Sequence, residues 1–218
     1  MRHLEQYRNP RGFSGRYYVS DFDLPRFLGH ELFVTFNALL VRSARWELMA
    51  ELLATELYIT NTDQSVPGMV SFTALSDLVR LLEQRNKRLG LSRRLLHADL
   101  LNERHSANGP LAQVLPMAQF TAGDYFLYLR GQLQPEQAPV HIQWPPWSAV
   151  YLEHPPRFLL ESTQARVAQR ICRPLGVLDV DSLRTRLRER AYALGSFFSD
   201  PFWRDPLDDF VPEFIGTR

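Results

Sequence analysis

One cysteine, Cys172, stands in a chain of 218 residues, so no disulfide within the chain can hold this fold together. Long apolar runs are missing too. None approaches the roughly 20 residues that a membrane-spanning helix needs, and the first residues, Met1-Arg2-His3-Leu4-Glu5-Gln6, lack the apolar core of a secretion signal. A protein with no membrane segment and a cytoplasmic location is the expectation. Lysine is almost absent: Lys87 is the one lysine beside 24 arginines. An excess this lopsided fits a GC-rich coding sequence as well as it fits a function, so the number of arginines carries no weight and their placement does. The usual sequence marks of catalysis are also missing. There is no Walker glycine loop, GxGxxG, CxxC, HExxH or GxSxG. A non-enzyme without a cofactor is therefore expected.

What is present suits an ordinary folded protein: 45% hydrophobic and 22% charged residues, with a net charge of +1. Residues 1–26 predict a loop or short strand. Apolar residues at helical spacing predict a helix from about Phe27 to Tyr58, with room for a break in "LLVRSARWEL". Turn residues follow at 60–68. A second helix is expected from Thr73 as its cap, with Leu75, Leu78, Val79, Leu82 and Leu89 on its apolar stripe, stopping at Gly90. A third, capped by Ser92, runs to about Arg104. After "SANGP" the texture changes. "AGDYFLYLRGQL" (122–133), "PVHIQW" and "SAVYLEH" have the density of strands, and 162–173 and 181–194 read as helices. The fold class is α+β, mainly helical, with a small antiparallel sheet. A helical region over 1–110 and a mixed region over 111–218 are its expected parts, unless the chain is one domain.

Charge placement singles out residues 80–105, where seven cations face three anions. The helix–"GLS"–helix pattern, with Leu89, Gly90, Leu91 and Leu96 around its turn, resembles the helix-turn-helix motif of many DNA-binding regulators. Asn86 stands where that motif usually has a small residue, and Asp99 where it usually has an apolar one. The resemblance implies a second helix that reads the major groove. Ser92, Arg93, Arg94 and His97 would face the bases, Arg85 and Arg88 would flank the phosphates, and Arg130 would tip a wing built from 124–143. A dimer is implied where a palindromic site is read. The same spacing also describes an amphipathic hairpin whose charges are simply solvated.

Other constellations offer less. His97-Ala98-Asp99 and Glu153-His154 do not converge on one helix face, so they do not predict a metal site. The acids Asp200, Asp205, Asp208, Asp209 and Glu213 suit a divalent cation, a solvated chain end, a face turned to the arginine-rich helix 184–190, or a shield over a basic surface. Cys172, within a helical pattern, reads as a small core residue. "WPPWSAVYLEHPPRF" (144–158) is stiff and apolar. Trp144 and Trp147 there either anchor a protein partner, which would make the chain an adapter or immunity-type module, or seal the core with their rings.

Overall fold

The computed structural model describes residues 23–59, 68–76, 79–133, 143–190 and 210–218. Residues 1–22 of the loop or short strand expected at 1–26, nearly all of the turn at 60–68, the "PVHI" segment and the acids Asp200, Asp205, Asp208 and Asp209 lie outside them, and residues 23–26 are already helical. The fold is mainly helical, with one two-stranded antiparallel sheet among the described residues.

Helix α1 (Asp23–Arg42) turns Phe27, Phe33, Val34, Ala38 and Leu40 inward. It stops where Ala44 takes a left-handed φ of 50°, and α2 (Trp46–Ala54) starts at once. The expected single helix is thus two, broken within "LLVRSARWEL". Strands β1 (Leu57–Ile59) and β2 (Gly68–Val70) pair antiparallel, with Tyr58 opposite Met69. A 3₁₀ turn (Phe72–Leu75) follows, capped by the Ser71 hydroxyl rather than started by Thr73. Next come α3 (Arg80–Arg88) and α4 (Leu96–His105).

The centre of the molecule is α5 (Met117–Gln132). Its segment from Tyr125 to Leu129 is buried on every side, among α1, α4, α7 and a 3₁₀ turn at Trp147–Tyr151. This overturns the strands expected at 122–133 and at "SAVYLEH". A helix surrounded by protein needs no polar face, so its sequence loses the 3.6-residue rhythm and reads like a buried strand. Arg130 consequently sits near the end of a core helix and tips no wing. The sheet lies earlier in the chain than the sequence suggested.

Crossing of α1 and α5 depends on one glycine. A Cβ added at Gly123 would stand 2.5 Å from the Cβ of Ala38, far inside van der Waals contact. Short α6 (Arg157–Glu161), α7 (Ala165–Leu175) and α8 (Val180–Arg190) complete the body. Asp179 caps α8 by accepting the Ser182 amide at 2.7 Å, one turn before the caps expected at 181–182. The chain end is tied back: the Gly216 amide donates to the Ser162 carbonyl at 2.8 Å, and the Arg218 amide to Thr163 at 3.0 Å. Buried apolar residues form one cluster running from Phe27 to Ile215, with Cys172 inside it as expected.

Candidate nucleic-acid interface

The basic segment is built by local rules. Helix α3 ends in a glycine cap: Gly90, at φ 58°, donates to the Lys87 carbonyl, and the Leu91 amide reaches back to Asn86. That double closure exposes the last turn of α3 with Arg85, Lys87 and Arg88 on it. The chain then runs through a connector from Leu89 to Leu95 before α4 begins. Ser92 takes φ 51° and does not cap α4. The expected tight turn is replaced by a longer loop.

Asn86, the departure from the motif, explains that loop. Its amide donates to the Arg93 carbonyl at 2.7 Å and its carbonyl accepts the Arg93 amide at 3.2 Å. A small residue there could make neither bond. Glu83 does the capping work left by Ser92, accepting the His97 backbone amide at 3.0 Å. The sequence marks Asn86 as a departure from the motif, but neither its two bonds to Arg93 nor the Glu83 cap is legible there.

Of the residues expected to meet DNA, Arg85, Arg88, Ser92, Arg93 and Arg94 are exposed, and Lys87, given no such role by the resemblance, is exposed beside them. Leu89 and Leu91 are exposed between these cations. Among the described residues, none of Arg85, Lys87 and Arg88 is held in an ion pair. Arg93 lies 3.8 Å from Asp99, with 64% of its side chain open to solvent. Asp99 is itself engaged, since it accepts the Tyr151 hydroxyl. Burial, then the hydrogen bond and charge of Asp99, push that phenol up to about 12. Elsewhere arginines are paired off: Arg104 with Glu31 at 2.6 Å, Arg188 with Glu213 at 2.6 Å, Arg184 with Asp181 at 2.7 Å.

Four expected residues turn inward. His97 is wholly buried, 0% exposed, on the inner face of α4. Its ring meets Phe27 at 5.2 Å and His30 at 5.5 Å, so no groove can reach it. Arg130 is drawn inward and lies over Gly176, whose missing side chain leaves room for the guanidinium. Burial holds its pKa below the usual arginine value. Trp144 is also 0% exposed: it stacks on His30 and donates its ring N–H to Asp124 at 2.8 Å. Trp147 is nearly as buried, so these rings seal the core instead of anchoring a partner.

No family model, curated protein or solved structure matches this chain. Function is therefore read from the site itself. Among the described residues no His, Cys, Asp and Glu group is arranged to hold a metal ion, and no helix is long and apolar enough to cross a membrane. Glu213 is committed to Arg188.

Proposed function

We propose that this protein binds DNA through the surface made by α3 and the loop that follows it, and that it acts there as a transcriptional regulator. One observation carries the reading: Arg85, Lys87 and Arg88 stand in solvent without ion-pair partners among the described residues, beside Arg93 on a loop held by Asn86. Unpaired cations on a fixed backbone neutralise phosphates at little ordering cost and release condensed counter-ions. Fixing the loop through the Arg93 backbone sets where Arg93 and Arg94 leave the chain. Phosphate contact falls to Arg85, Lys87 and Arg88, and base reading to Arg93 and Arg94. Leu89 and Leu91 supply apolar contact of the kind that thymine methyl groups accept.

The measurement is fluorescence anisotropy on random and on upstream duplexes over a salt series. Affinity is expected to fall with salt at a log–log slope of about −0.9 per phosphate neutralised. Arg85→Ala and Arg88→Ala each flatten that slope by about one unit on every duplex. Arg93→Ala and Arg94→Ala each cost about 1–3 kcal/mol on the preferred sequence and less on random DNA. Binding indifferent to salt, or unchanged in the fourfold variant, rules the reading out.

A further inference from the structure

Behind the basic loop lies a buried histidine that the DNA contacts do not use. His97 Nδ1 accepts the backbone N–H of Val79, the N-cap of α3, at 3.3 Å. Its own backbone N–H donates to Glu83, on the first turn of α3. One residue of α4 thus grips the start of α3 from two sides. Nε2 is buried with no hydrogen-bond partner among the described residues.

We propose that His97 is a pH-operated latch: while neutral it locks α3 to α4 and fixes the basic surface, and its protonation releases that surface. The extension to DNA rests on the function proposed above; the latch does not. An imidazolium has two N–H donors and no acceptor. Protonation therefore strands the Val79 amide and places a charge among the rings of Phe27 and Trp147.

The groups around the ring do not welcome that charge. Helix α1 presents His30, with Asp23 and Arg26 on the same side of the helix; the Asp23 carboxylate is occupied by the Leu81 amide at 3.3 Å. Helix α3 presents Glu83, already bonded to main chain. From the 3₁₀ turn come Trp147 and Tyr151, the latter bonded to Asp99 of α4. Next to Trp144, Asp124 is taken up by Trp144 and Ser148. Burial first, and His30 second, keep the His97 pKa well below its ordinary 6.5. An opened segment takes up a proton that the closed one refuses, so opening grows as pH falls below 6.5.

Amide hydrogen exchange, corrected for intrinsic rates, tests this between about pH 7.5 and about pH 5, with the α5 amides as internal reference. In the wild type, opening of the segment from Val79 to His105 should rise by up to about tenfold per pH unit below the ordinary histidine value. His97→Gln keeps an acceptor and cannot titrate, so its opening should stay flat. A flat wild type, or a glutamine variant with the wild-type slope, overturns the latch. Should that variant fail to fold, the wild-type imidazole signal decides: a ring that titrates near its ordinary value in a closed segment overturns the latch, and one that stays neutral until opening supports it. Anisotropy at constant ionic strength is run alongside. Affinity that holds while the segment opens overturns the link to the basic surface. Absence of DNA binding at about pH 7.5 overturns the proposed function instead, and leaves the exchange result to judge the latch.

Discussion

At the scale of single residues, Asp124 shows how much one buried carboxyl group can organise. It is 0% exposed and accepts three bonds, from the Trp144 ring at 2.8 Å, the Ser148 amide at 3.0 Å and the Ser148 hydroxyl at 2.7 Å. It thereby pins the tryptophan that stacks on His30 and the 3₁₀ turn that closes over His97. Asp124→Ala leaves three donors without an acceptor, each costing about 1–3 kcal/mol, so a loss of about 3 kcal/mol or more is expected. Urea unfolding followed by tryptophan fluorescence measures it; a loss below about 1 kcal/mol would mean the donors find other partners. Asn86 is the surface counterpart. It does little for the core, and its two bonds decide where Arg93 stands.

Among elements, the α1–α5 crossing sets the framework. Gly123 brings the backbone of α5 against Ala38 of α1, and an added methyl would meet Ala38 atoms at 2.5, 2.6 and 2.7 Å. These are not the ends of flexible side chains, so the helices must move apart. Gly123→Ala is expected to cost about 3 kcal/mol or more, although alanine is the better helix former. A melting temperature lower by about 6–12 °C is the expected readout for a chain of this size. A rise in melting temperature would show that helix propensity outweighs packing here. Because α5 also carries Asp124 and the Arg130 that covers Gly176, a shift of this helix propagates to the support behind the basic loop.

For the whole molecule, the buried ionisable groups set the pH range of stability. Burial alone would raise the pKa of Glu31, but His105 and Arg104 beside it bring the value below the ordinary 4.5. Arg104 donates to its carboxylate at 2.6 Å, and His105 Nε2 makes a looser contact at 3.4 Å. Glu31 thus contributes stability above about pH 4.5 that is lost as pH falls through its folded value. His97, lowered well below 6.5, adds a loss that starts higher, as the unfolded chain takes up its proton. Tyr151, raised to about 12 from 10.0, contributes stability that fades as pH climbs between those values. Cys172, pushed up from 9.0 to about 11 by burial and then by the charge of Asp179, adds a loss that begins near pH 9. Thermal melts across pH should show a plateau between about 6.5 and about 9, falling on both sides. His97→Gln should move the acid shoulder to lower pH; an unmoved shoulder would assign it to another group.

Much of this architecture is legible one segment at a time. Helices α1, α2, α3, α4, α7 and α8, the Gly90 stop and the exposure of Arg85, Arg88, Arg93 and Arg94 all follow from apolar spacing, caps and charge. Those signals are local, and a helix with one wet face writes its period into the chain. Tertiary structure decided the rest. It made 122–133 a helix, because an element enclosed on all sides needs no polar stripe to announce its type. It turned His97, Trp144 and Arg130 inward, since the side of a helix that becomes the inside depends on what packs against it. It also put Asn86 on the Arg93 backbone and His97 on the Val79 amide, across sequence gaps of seven and eighteen residues, where a hydrogen bond exists only once the chain has folded.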